Sequence, residues 1–268
     1  MDLGVAGQAF LIVGGTAGIG LETARALVAD GATVAVLGRD RERGEAAAAA
    51  LCGEHGSRVV AVVGDVASSQ DTVDALVREV TERVGPLAGL AVTAGSNRDA
   101  HSTLEQATDD IWDRSFQEQL MGTVRSVKAV LPGLRARGGG TIVTCSAYSI
   151  HSPHHNRMPY VALKSGVASF TKNVAKSYGA EGVRANCVCP GAIVTDNLTA
   201  LRRRLAQERG VAEEGLIEQV MRDEWHMDVA LGRPGRPEEV GELVAFLLSG
   251  RAAYLTGALV NIDGGTDF

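Results

Sequence analysis

A chain of 268 residues with 45% hydrophobic and 22% charged residues can bury a sizeable core, as one large domain or two small ones. A net charge of −6 excludes a nucleic-acid binder that works through a broad basic face. No apolar stretch approaches the roughly 18 residues needed to span a bilayer, and four scattered cysteines make no disulfide framework.

The start, "MDLGVAGQAFLIVGG", has an early Asp and no basic leader. The expectation is a soluble, reduced, cytoplasmic protein with no nucleic-acid and no membrane partner. "AFLIVGG" reads as a buried strand ending in glycines. The helix that follows carries Leu21, Ala24, Leu27 and Val28 on one stripe and stops at Gly31. "ATVAVLG" is a second strand, the Ala-rich run to about residue 56 a second helix, and "RVVAVVGDV" a third strand. "DTVDALVREVTERVG" is a helix and "LAGLAVTAG" a fourth strand. Strands alternating with helices predict a doubly wound parallel sheet with helices on both faces, an α/β Rossmann fold.

Farther along, a long helix is expected around residues 109–137, a strand at "GTIVTCS", a helix from near Tyr160 and a strand at "VRANCVCPG". A polar, mostly helical segment covers about 196–231, and a last helix and strand finish the chain. The run Arg202, Arg203, Arg204 in that segment reads as a solvated helix face. With no linker and no repeat, residues 1–268 form a single domain. Its nucleotide-binding half is about 1–100 and its catalytic half about 101–268.

Gly14, Gly18 and Gly20 lie directly between a strand and a helix, where backbone N–H groups can approach a pyrophosphate. The end of the second strand selects the nucleotide. An acidic residue there binds ribose hydroxyls, whereas an arginine pairs with a 2′-phosphate. "VLGRD" puts Gly38 and Arg39 at that place and Asp40 just beyond. NADP(H) is therefore favoured over NAD(H), the alternative being that Arg39 stacks on adenine while Asp40 reaches the ribose. Asp65 and Val66 end the third strand beside the adenine. Cys187 and Cys189 share one side of a strand, but no second ligand pair accompanies them, and no metal site is expected.

With Gly14-x3-Gly18-x-Gly20, "GDV" at 64–66, "TAG" at 93–95, Tyr160-x3-Lys164, "NCVCPG" at 186–191, "IVTD" at 193–196 and "DGG" at 263–265, the chain resembles the short-chain dehydrogenase/reductase family in its classical form. The resemblance implies that Tyr160 is the catalytic acid/base and that Lys164 binds the nicotinamide ribose and eases loss of the tyrosine proton. It implies cofactor contacts from Gly14, Thr16, Gly18, Ile19, Gly20, Arg39, Asp65, Val66, Ala94, Gly95, Pro190, Gly191, Ile193 and Thr195, the last at the carboxamide. It also implies a small-molecule substrate, a lid over 196–231 and a homotetramer or homodimer.

Departures from the family pattern accompany the matches. Val13 stands where the family has Thr, and Val92-Thr93-Ala94-Gly95 replaces its Asn-Asn-Ala-Gly; Thr93 can restore part of the lost bracing. The family's catalytic Asn, associated with a helix distortion, falls on Gln119. Its Ser falls on Ala147 by spacing to Tyr160, so the hydroxyl that holds a carbonyl oxygen is Ser146 with a one-residue insertion, Ser149, Tyr148 or absent. His151, His154 and His155 crowd the loop before Tyr160 and read as pocket rim. The activity expected is interconversion of a ketone and an alcohol by hydride transfer. The altered Ser and Asn positions leave a non-redox isomerase, dehydratase or cyclase, or a weakly active nucleotide-binding protein, as alternatives.

Overall fold

The computed structural model describes residues 2–55, 58–95, 102–153 and 156–266. Seven parallel strands form one sheet in the order β3-β2-β1-β4-β5-β6-β7. They are β1 Ala9–Val13, β2 Thr33–Gly38, β3 Val59–Val63, β4 Leu87–Val92, β5 Gly140–Cys145, β6 Val183–Pro190 and β7 Leu259–Ile262. The central strands are continuous apolar runs because helices cover both faces and leave neither one for water.

The two-residue period of β1 divides its side chains between two cores. Phe10 and Ile12 join Leu27 and Val28 of α1 (Gly18–Ala29), Leu51 of α2 (Arg41–His55) and, farther along the chain, Val244 and Leu248. Leu11 and Val13 meet Leu76 and Val80 of α3 (Gln70–Val84) on the other face, with Val127, Leu134 and Val174. The α1 helix ends at Asp30, and Gly31 takes the left-handed conformation that releases the chain into β2.

The single long helix expected over 109–137 is interrupted. It comprises α4 (Asp109–Ser115), a π-turn (Phe116–Met121) and α5 (Gly122–Ala136). After β5 comes a short 3-10 turn (Tyr148–Ile150), then α6 (Met158–Tyr178), β6, α7 (Asp196–Arg209) and α8 (Leu216–Asp223) in the segment expected as a lid, and α9 (Pro237–Leu248). Val244 and Leu248 above belong to α9, Val127 and Leu134 to α5, and Val174 to α6. Among the described residues no helix is long and apolar enough to cross a membrane.

Candidate active site

Crossovers from β1 and β4 leave in opposite directions, and at that switch point the strand ends open a groove of about 820 Å³. Its floor is the glycine turn. A Cβ on Gly20 would lie 2.2 Å from the Gly14 carbonyl oxygen, and one on Gly14 would lie 2.6 Å from the Ala94 nitrogen. Only glycine lets these three segments approach so closely. Thr93 donates its hydroxyl to the Val13 carbonyl at 3.1 Å, so it supplies a brace between β1 and β4 that Val13 cannot.

At one end, Gly38 packs on Thr16: a Cβ there would sit 2.8 Å from the threonine methyl, so an acidic side chain at the end of β2 would have to displace Thr16. Arg39 follows, with its guanidinium 3.9 Å from Glu118 across the groove. Asp40 caps α2, accepting the Arg43 backbone N–H at 3.0 Å. Asp65 accepts the Ala67 N–H at 2.9 Å and lines the same wall as Val66.

At the other end α6 supplies the Tyr160–Lys164 pair. The Lys164 side chain is buried to 4% exposure, and its Nζ donates to the Cys145 carbonyl at 2.9 Å. Nζ stands 5.8 Å from the centre of the Tyr160 ring, and the Arg157 guanidinium lies 5.9 Å from it. Gln119 lies inside the π-turn and is buried. A Cβ added to Gly95 would be 2.9 Å from the Gln119 Oε1 and 3.2 Å from Lys164 Nζ, so both side chains converge on the groove wall at Gly95. The helix distortion thus falls where the Asn-to-Gln change is.

The three hydroxyls after β5 face different surroundings. Ser146 is buried, donates its proton to the Lys164 carbonyl at 2.8 Å and has the Cys189 thiol as a neighbour on β6. Ala147 is buried. Ser149 Oγ is buried without a hydrogen-bond partner among the described residues. Tyr148 is half-buried and packs on the lid cluster of Ile217, Met221, Met227 and Val229. Burial pushes its phenol pKa up, the Arg157 guanidinium pulls it down, and the Tyr160 phenol adds to the rise. Tyr148 is therefore within electrostatic reach of both.

Gly14, Thr16, Gly18, Ile19, Gly20, Arg39, Asp65, Val66, Ala94, Gly95 and Thr195 all line the groove. Pro190 ends β6, Gly191 packs against Asp263, and Ile193 bridges to Gly235; they lead the chain to Thr195 rather than forming the wall. Arg43, Glu118, Asp196 and Arg204 line the groove as well and were not anticipated. His151 is exposed; His154, His155, Asn97 and His101 lie outside the described residues. Among the described residues no cluster of His, Cys, Asp or Glu could hold a metal ion.

A cradle closed to any side chain at Gly14 and Gly20, open along its length and walled by Arg39 and Asp65, fits a dinucleotide. That defines the class, a Rossmann-type nucleotide-binding enzyme. A family model described as enoyl-(acyl carrier protein) reductase matches residues 14–267. The chain is 31% identical over 260 residues to 3-oxoacyl-(acyl-carrier-protein) reductase FabG of Chlamydia muridarum, covering 96% of each. Its fold is similar to L-sorbose reductase from Gluconobacter frateurii complexed with NADPH and L-sorbose, with a TM-score of 0.92, 30% identity and coverage of 99% and 98%. It is also similar to a short chain oxidoreductase of Pseudomonas aeruginosa PAO1 containing an atypical catalytic center, with a TM-score of 0.88, 29% identity and coverage of 99% and 98%. The chain belongs to the short-chain dehydrogenase/reductase family, and it is an oxidoreductase acting on CH–OH groups with NAD(P).

Proposed function

We propose that this protein interconverts a ketone and an alcohol on a small or medium-sized metabolite, using NADP(H) in preference to NAD(H). The observation that carries the reading is the convergence of Lys164 and Gln119 beside Gly95 at one end of the nucleotide groove, with the Tyr160 ring 5.8 Å from the Lys164 Nζ. In reduction Tyr160 gives its phenol proton to the carbonyl oxygen, and in oxidation it takes that proton back. Lys164, held by the Cys145 carbonyl, places a positive charge beside the phenol and holds the nicotinamide ribose. Gln119 keeps an amide behind the lysine. The bound nicotinamide supplies or accepts the hydride.

The second hydroxyl on the substrate oxygen is assigned to Tyr148 rather than Ser146. An oxyanion needs a proton donor, and the Ser146 proton is committed to the Lys164 carbonyl. Tyr148 packs on the cluster of Ile217, Met221, Met227 and Val229 within electrostatic reach of Tyr160, and a phenol O–H is a hydrogen-bond donor. The preference for NADP(H) is supported by three features of the adenosine end. A side chain at Gly38 would have to displace Thr16, Arg39 lines the groove, and Asp40 spends one carboxylate oxygen on the α2 cap. An NADPH-bound relative of the same fold points the same way. Exposed Tyr254, Leu255 and Leu259 near the edge strand β7 support a homotetramer or homodimer.

Titration with NADPH and NADH, followed by a screen of ketones and alcohols at the reduced-nicotinamide band, tests the reading. Turnover is expected, and Tyr160→Phe should abolish it while leaving NADPH binding intact. Undiminished turnover in Tyr160→Phe would remove the tyrosine from the chemistry. A non-redox reaction on this scaffold has no structural observation in its favour.

A further inference from the structure

Three guanidinium side chains from three separate elements line the same nucleotide groove. Arg39 comes from the end of β2, Arg43 from the first turn of α2 and Arg204 from the lid helix α7. Two of the three are only loosely held by nearby carboxylates. Arg39 is 3.9 Å from Glu118, beyond hydrogen-bond distance, and Arg204 is 3.6 Å from Glu208 on its own helix. Arg43 is bonded to Asp196, the first residue of α7, in a pair open to water on both sides. Exposed pairs of this kind are weak and exchange readily for a better anion.

The lid helix is oriented for such an exchange. Asn197, Leu201 and Arg204 recur at i, i+4 and i+7, which is one face of a helix, and all three line the groove. Thr195, just before α7, would be 3.3 Å through its methyl from a Cβ on Gly18, so the lid begins directly over the glycine turn. Arg204 thus stands on the groove side of a helix whose start is already fixed to the nucleotide cradle. Its neighbour Arg202 is turned elsewhere, toward Glu213 at 3.0 Å. The basic run is divided: one arginine ties α7 to the segment before α8, and another faces the cofactor.

We propose that Arg204 is a specificity-determining residue of the lid, the third guanidinium of a 2′-phosphate site shared with Arg39 and Arg43. NADP(H) draws Arg43 away from Asp196 and engages Arg204, and this clasps α7 across the groove. A ribose 2′-phosphate brings up to two negative charges and three acceptor oxygens, matching a site with several guanidinia and only loosely held carboxylates. NADH offers two hydroxyls there and no reason for the lid arginine to move inward. Cofactor identity and lid position are then linked, since the same ligand contact counts toward both. The proposal rests on the NADP(H) reading given above.

The test uses the full chain with NADPH and NADH as probes, read by calorimetric or fluorescence titration and by hydrogen exchange in α7. Arg204→Gln should weaken NADPH binding on the order of tenfold, the loss of one charge-assisted hydrogen-bond partner, while NADH binding stays within about twofold of the parent. Asp196→Asn should tighten NADPH by releasing Arg43. The amides of α7 should gain protection with NADPH and much less with NADH. If Arg204→Gln binds NADPH like the parent while Arg39→Gln loses the preference, the lid's part is overturned and the NADP(H) reading stands. If the parent itself does not distinguish the two nucleotides, both fail. Arg204 is largely exposed, and unchanged far-ultraviolet circular dichroism identifies a folded variant.

Discussion

Replacing Ser146 and Tyr148 one at a time separates a structural hydroxyl from a chemical one. In Ser146→Ala a buried 2.8 Å hydrogen bond to the Lys164 carbonyl is lost. That carbonyl lies inside α6 and keeps its helical partner, so no acceptor is stranded. The expected cost is the net value of one hydrogen bond, about 0.5–1.5 kcal/mol, a fall in melting temperature of roughly 2–4 °C per kcal/mol for a chain of this size. Turnover should stay within about fivefold, since less than ~1 kcal/mol of barrier is touched. Tyr148→Phe keeps the ring in the apolar lid cluster and removes only the O–H. Stability should hardly change, whereas kcat should fall by about 10²–10³, equivalent to roughly 2.7–4 kcal/mol, the usual loss for one oxyanion donor. KM should move little if the bond strengthens chiefly in the transition state. The assay is NADPH oxidation with whichever ketone is turned over, alongside thermal unfolding of each variant. A hundredfold loss in Ser146→Ala at unchanged rate in Tyr148→Phe would refute the assignment and return the role to the serine.

Two further outcomes follow from the glycine turn and from the base of α9. Gly20→Ala would drive a methyl to 2.2 Å from the Gly14 carbonyl and 2.5 Å from the Thr93 hydroxyl; overpacking of this kind costs about 1–3 kcal/mol. NADPH titration should show binding lost together with lowered stability, and binding retained would mean the turn can open without penalty. Glu239 accepts from Arg233 at 2.6 Å and from the Arg236 backbone, and these hold its carboxyl down at about 2. A depressed folded-state pKa gives stability present above the unfolded value of ~4.3 and lost as pH falls through the folded value. Glu239→Gln should therefore lower the urea midpoint at neutral pH, modestly because the pair is solvent-screened. The gap should close as the pH falls from about 4.5 toward about 2; an undiminished gap at the acid end would show that the carboxylate charge is not its source.

The fold was legible because the strands are short, uninterrupted and apolar. Buried on both faces, they leave a continuous hydrophobic run that periodicity reads easily, as in the five fully buried residues of β1. The glycine turn was legible for a related reason: its residues are dictated by backbone contact, and a side chain there collides whatever else the protein does. The π-turn left no mark in the composition, since "WDRSFQEQLMG" retains helix-forming residues throughout; only the family pattern, whose asparagine accompanies a helix distortion, pointed to Gln119. Arg43 and Arg204 were missed for want of a local signal. A basic residue on an amphipathic helix looks the same whether it faces water or a groove, and only the placement of α2 and α7 across the switch point distinguishes the two.

The departures from the family pattern share a physical logic. Where the first strand lacks a hydroxyl at Val13, Thr93 donates across from β4 to the Val13 carbonyl, so the bond survives with its donor on the neighbouring strand. Gln119 stands in for an asparagine, and its longer side chain brings the amide oxygen to the same wall at Gly95 that Lys164 reaches. Ala147 leaves the expected hydroxyl position bare, and the residues on either side diverge: Ser146 turns into the α6 backbone, and Tyr148 packs on the cluster of Ile217, Met221, Met227 and Val229. In each instance the polar group is displaced by a strand, a methylene or one residue. A spacing rule therefore fails at these positions while the donor it was meant to locate is still close by. The consequence for Tyr148 is the most specific, because a phenol reaches farther from the backbone than a serine hydroxyl. On the assignment proposed above, a donor packed on the cluster of Ile217, Met221, Met227 and Val229 ties the oxygen-binding group to the segment expected as the lid. Lid variants that loosen this packing should then lower kcat together with raising KM, which a serine fixed to β5 would not require.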